Sequence, residues 1–488
     1  MIGRIATAAA AVMAVMLMLL GVLAVPQSAS AASTDLSGQL QTEQGTTTIL
    51  GGGNHFFVKF GADAAFGIVW GTNDTPNNVY FVAIKARYLG MAQVYDTSGN
   101  LVDANHSVKI YTMYAVKLED ILEFNDANQN GTLQYSRVYN NGNFTGKYIS
   151  GEPLYKEVGL KTAWTASQVS TADTGSTRTW SFSLSAKNLS YSSLANYTGA
   201  TGDNNLNELS LTFHLQARMA QIDNATIPQW RITVSRGMMG NMMWFSNAQR
   251  VTDMVMSGRM ITYNVKWDST FNGWDFDAAN TNPALIMEFS SIVGNYIPPA
   301  MATWMETRMI QAMNENGVMT CRSGATQVDE DGSGGVYSRP MAVTTPSLTF
   351  GGENTKIGKF EWVSNVIVDG AQKQLHVQLI AGVPIWAVGQ NGALFHGFAV
   401  VGGIAYPGGE LITHDPTFSS EALIDLDSKT TSFPVGILLV GLVIAVVVIV
   451  VAVVIALTEK KPGRKTPQTY ERVVSSQPGE WTKYYGKK

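Results

Sequence analysis

Asp126, Asn128, Asn130 and Thr132 put an oxygen-bearing side chain at every second position of the stretch Asp126-Ala127-Asn128-Gln129-Asn130-Gly131-Thr132-Leu133. Oxygens at that spacing suit a hard divalent cation, with a glycine free to turn sharply and an apolar residue to anchor the far side. Calcium is the cofactor expected here, with Asp126, Asn128, Asn130 and Thr132 as its ligands.

The stretch resembles the first eight positions of an EF-hand calcium loop. The likeness ends at the twelfth position, where Arg137 stands in place of a bidentate acid, and no helical pattern flanks the loop. Asp120 and Glu123 are near enough in sequence to supply the missing charge. Without an ion, Asn130-Gly131 is a common turn pair. Asn130 also opens an Asn-X-Ser/Thr site, so a sugar and a cation compete for one side chain.

Such sites occur at Asn73, Asn105, Asn130, Asn143, Asn188, Asn196 and Asn224, all in the first half of the chain. A glycan can sit only on a surface, so these residues are expected to be exposed. Asp329-Glu330-Asp331 and the pair Asp275 and Asp277 form further acidic groups, read as solvated loops. His376, His396 and His414-Asp415 fall in one C-terminal stretch where they could meet a metal, although their spacing repeats no zinc signature. Met238, Met239, Met242, Met243, Met254, Met256 and Met260 are dense enough to suggest a soft metal, yet thioethers more often fill cores. No nucleophile elbow, phosphate-binding glycine loop or dinucleotide fingerprint is present.

The elements that must position these residues are strands. Phe56 to Phe60, Phe66 to Trp70 and Val79 to Ala86 are apolar, strand-length and bounded by turn residues. Tyr95 to Asn100 reads as a hairpin turn with Gly99 at positive φ. Alternation continues through Val108 to Leu118, Trp180 to Leu184, Leu209 to Leu215 and Gln229 to Val234. The expected fold is mainly β: two β-sandwich-like ectodomains, residues 55–235 and 236–414, the first carrying the glycosylation sites and the second the methionines. One helix is expected between Pro298 and Gly317, with Met301, Met305, Met309 and Met313 as a stripe buried against the core.

Apolar segments set the address. Residues 1–31 read as a secretory signal ending at Ala29-Ser30-Ala31, and 32–54 as a flexible leader. An uncharged run over 435–457 has the length of a transmembrane helix, preceded by a polar stalk at 415–434. The tail 458–488 holds eight basic and three acidic residues, and by the positive-inside rule stays in the cytoplasm. Without the tail and Arg4, 24 basic and 34 acidic residues remain, a balance that repels nucleic acid. Cys321 is the single cysteine, so no internal disulfide can form, which points to a prokaryotic and in particular an archaeal surface. The expected protein is a single-pass cell-surface glycoprotein of the cytoplasmic membrane, N-terminus outside. Its β-rich region is expected to serve envelope structure, adhesion or ligand binding, with surface proteins or glycans as partners. A membrane-anchored hydrolase acting on glycans or peptides, and a receptor or transporter accessory subunit, are the alternatives.

Overall fold

The computed structural model describes residues 40–47, 53–60, 64–133, 135–140, 143–150, 152–174, 177–199, 205–236, 243–297, 320–323, 326–329, 341–342, 346–352, 355–388 and 394–424. The described residues are mainly β, with no helix among them. The expected signal, the helix of 298–317, Met238, Met239 and Met242, the membrane span and the tail lie outside them, as do residues 425–434 of the expected stalk; Thr417–Ile424, expected in that stalk, is instead a strand paired into the sheet.

Two sheets pack face to face. The first contains β1 (Leu40–Thr47), β2 (Gly53–Phe60), β3 (Ala64–Trp70), β4 (Tyr80–Asp96) and β5 (Leu101–Asn125), each antiparallel to the next. The short strand β6 (Leu154–Gly159) pairs with the end of β5, over Asp120–Phe124. The second sheet is built on β7 (Thr177–Ser190), β8 (Asn205–Arg236) and β9 (Met243–Asn272). The first sheet continues from β5 through β10 (Pro283–Ile297) to β14 (Leu394–Pro407) and β13 (His376–Val388). The second continues from β9 through β15 (Thr417–Ile424) to β12 (Thr355–Glu361) and β11 (Ser347–Gly352).

Alternating apolar residues put one side of β7 between the sheets, as a half-buried strand requires, whereas β3 is buried at every position. Phe56 meets Phe182 at 5.2 Å, Phe81 meets Trp267 at 4.7 Å and Tyr114 stacks on Phe418 at 4.4 Å. One buried cluster runs from Phe56 to Phe418. The division expected between 235 and 236 falls within β8, which pairs with β9 from Glu208↔Asn272 to Arg236↔Met243, and residues on both sides of it belong to that cluster.

The outer half of β8 leaves β7 and runs parallel to β4 over Gln229–Val234 and Met91–Asp96. This joins the two sheets and makes a lobe with its own small core of Leu89, Val94, Val108, Trp230 and Ile232. Met254 and Met256 pack against Met91 and Ile227 beside it, so these thioethers fill apolar space. Residues 40–47, within the expected flexible leader, form β1 instead. Backbone pairing with β2 recruits this polar stretch, since an open sheet edge accepts any chain able to offer its N–H and C=O groups.

Candidate functional site

Four segments converge where β5 and β14 end and β10 and β13 begin. They enclose a cleft of about 370 Å³, lined by Asp126, Gln129 and Gly131 from the first, Asn282 and Pro283 from the second, Lys373 and His376 from the third, and Tyr406 and Pro407 from the last. That volume is at the lower end of the range for small-ligand sites.

The loop after β5 is held by its own polar side chains. Asp126 accepts the N–H groups of Asn130 at 3.1 Å and Gly131 at 2.9 Å, and Asn128 accepts that of Asn130 at 3.0 Å. Asn130 Oδ1 accepts both the N–H of Thr132 at 2.8 Å and its hydroxyl at 2.7 Å. Gly131 has φ +72°, and a Cβ there would lie 2.0 Å from the His376 ring, so glycine lets loop and imidazole touch. Buried Gln378 then clasps Leu133, donating to its carbonyl and accepting its N–H at 3.0 and 2.9 Å.

For calcium, the loop offers one carboxylate and two amide oxygens, each already accepting at least one main-chain hydrogen bond. Glu123 does not add charge to it. That carboxylate is fully buried and faces the other way, accepting from Trp274 Nε1 at 3.1 Å, Asp277 N–H at 3.0 Å and Asn280 Nδ2 at 2.9 Å, with Lys156 Nζ at 3.6 Å. Among the described residues no three His, Cys, Asp or Glu side chains group to hold a metal. A site with a single carboxylate belongs to the weak end of calcium affinities.

Comparison with family models, with curated proteins and with solved structures finds no match to this chain.

His376 and His414 do not converge. His376 lines the cleft, whereas His414 is buried with Nδ1 3.4 Å from the Tyr406 hydroxyl. Burial pushes the His414 imidazole down to about 4, against the charge of Asp415 and a main-chain contact with Val363. Asp415 turns outward to Lys266 at 3.1 Å. The side chain of His396 is outside the described residues. Asp277, expected in a solvated loop, is 1 % exposed. Desolvation works against its charge, but the N–H groups of Thr198 and Ala279, the Thr198 hydroxyl and the charge of Lys156 hold it below the usual carboxylate range.

One arrangement invisible to sequence motifs spans three neighbouring strands. Ser181 Oγ lies 3.1 Å from His214 Nδ1, and His214 Nε2 lies 3.2 Å from Asp268. The order Ser–His–Asp is that of a nucleophile, base and orienting acid. It sits on the outer sheet face, however, with Ser181 paired to Ser170 on one side and His214 on the other. A flat ladder whose N–H groups serve the sheet has no preorganised donors for an oxyanion. The Ser183–Thr212 pair at 2.9 Å continues the same row, which marks it as a cross-strand polar ladder.

Asn73, Asn130, Asn188, Asn196 and Asn224 are exposed; for Asn105 and Asn143 only the backbone, in strands, is described. Asn196 Oδ1 accepts the Leu154 N–H at 3.1 Å.

Proposed function

We propose that this protein is a non-enzymatic cell-surface receptor or adhesin that binds a hydroxyl-rich ligand, such as a surface saccharide, in the cleft between the loop after β5 and the start of β13. One observation carries the reading: the cleft lies at the opposite end of the sandwich from both termini of the described chain. β1 runs toward the cleft end, and β15 runs away from it, antiparallel to β9. A membrane span at 435–457, following Ile424 closely, would leave the cleft facing outward. Amide groups of Gln129, Asn282 and Gln374 both donate and accept, which suits alternating hydroxyls, Lys373 adds a positive donor for an acidic sugar, and His376 adds an imidazole.

Glycans on the exposed sequons other than Asn130, and a weakly held calcium ion at Asp126, Asn128, Asn130 and Thr132, complete the proposal. The test is binding of cells bearing the full-length protein to a glycan array, with the double variant Lys373→Ala/His376→Ala as comparison. Binding lost in the variant at equal surface expression is expected. Binding unchanged in the variant would move the ligand site elsewhere, and absence of any bound glycan would leave adhesion through protein contacts as the better reading.

A further inference from the structure

Cross-linking by disulfide is closed to this chain, with Cys321 alone, but another staple is set up at the end of the core. Opposite Glu123 the β5–β6 ladder bulges: Leu122 pairs with Glu157, and Phe124 with Leu154. The extra residue of β6 turns Lys156 toward Glu123, and both side chains are 0 % exposed. Asn280 reaches the same carboxylate from the loop before β10, its Nδ2 donating to Glu123 at 2.9 Å and to the Phe124 carbonyl at 3.1 Å. Its Oδ1 is buried without a hydrogen-bond partner. The Tyr191 ring lies 4.3 Å from Lys156 Nζ, and the Trp274 indole donates to Glu123, so the surroundings are aromatic and dry.

A buried amine, a buried acid and an amide with its leaving nitrogen on that acid are the parts of an acyl transfer. We propose that Lys156 and Asn280 become joined by an intramolecular isopeptide bond, with Glu123 as proton carrier. The Lys156 ammonium passes a proton to Glu123 and becomes a neutral nucleophile. Nζ attacks Cγ of Asn280, the charge moving onto the carbonyl oxygen, and Glu123 returns its proton to Nδ2, the amide atom it already touches, so that the Cγ–Nδ2 bond breaks as the carbonyl re-forms. Glu123 then takes the second proton from Nζ and passes it to the departing ammonia. The Nζ–Cγ bond forms, the Cγ–Nδ2 bond breaks, and an ammonium ion leaves in place of the lysine ammonium. Atoms and charge balance with no oxidant or cofactor. Asp277 is the poorer electrophile, because three donors from Thr198 and Ala279 keep its carboxylate ionised.

The test is peptide mapping of the full-length protein purified from its membrane. A branched tryptic peptide joining the segments of Lys156 and Asn280, lighter than their sum by one ammonia, is expected. Linear peptides containing unmodified Lys156 and Asn280 would overturn the bond. A branch lighter by one water would overturn Asn280 in favour of an aspartate. Glu123→Gln keeps the size of the side chain, and its cross-linked fraction at matched time should fall at least about tenfold, since a positioned acid–base group contributes that much or more. A fully cross-linked Glu123→Gln protein would overturn the role of Glu123. If that variant does not fold, the wild-type map alone decides.

Discussion

At the scale of single residues, His414 makes stability depend on pH. Its folded pKa of about 4 lies below the ordinary value of 6.5, so the folded state keeps it neutral. Below pH 6.5 the unfolded chain takes up a proton that the folded chain refuses. Its share of stability is therefore complete above 6.5 and declines as pH falls toward 4, by about 3 kcal/mol in all. Asp277, with a lowered pKa, contributes stability above the ordinary carboxylate pKa that is lost as pH falls through its folded value. Urea midpoints of His414→Gln should lose most of the slope between pH 6.5 and 4; a slope equal to wild type would clear His414. Ser181→Ala on the exposed ladder should change stability by no more than about 0.5 kcal/mol. A serine-directed phosphonate should leave Ser181 unlabelled; labelling that vanishes in Ser181→Ala would revive the hydrolase alternative. Neither residue was legible beforehand: His414 carries no local sign of burial, and Ser181, His214 and Asp268 meet only through strand register.

At the scale of elements, the loop after β5 and the lobe are the parts most open to perturbation. Gly131→Ala forces a Cβ into the His376 ring at a left-handed φ, which costs about 1–2 kcal/mol for the backbone alone. Loss of cleft binding should accompany it, read on the same array. Chelation tests the calcium proposal: a melting midpoint lowered by chelator and restored by excess calcium is expected, and an unchanged midpoint removes the ion as a stabiliser. In the lobe, Trp230 donates to the Leu89 carbonyl at 3.2 Å and holds the two parallel strands together. Trp230→Ala should cost about 3–5 kcal/mol. Hydrogen exchange should rise first at Met91–Asp96 and Gln229–Val234; equal acceleration across the sandwich core would deny the lobe its separate stability. Strands themselves were readable from alternation. Two short apolar stretches, Leu209 to Leu215 and Gln229 to Val234, turn out to lie on one long strand, because polar residues between them are tolerated where one face meets solvent.

At the scale of the whole molecule, one core from Phe56 to Phe418 implies one cooperative unit. A chain cut at 235 leaves β8 without β9, its partner along almost its full length, so neither half should fold alone. Separately expressed 32–235 and 236–434 are expected to lack a cooperative transition, measured by denaturant titration. An independent transition in either would restore two domains. By itself the sequence determined the strand-rich class and the turn at Gly99, because alternation and positive φ are local properties carried by neighbouring residues. It also carried the cation-like oxygen spacing of Asp126, Asn128, Asn130 and Thr132. The tertiary structure alone decided that Glu123 serves Lys156 and Asn280 and not that loop. It also decided that His376 and His414 part company, and that residues 373–376 and 281–283 complete the cleft. Burial and convergence depend on which strands become neighbours, and strand register over separations of more than a hundred residues leaves no trace in local pattern.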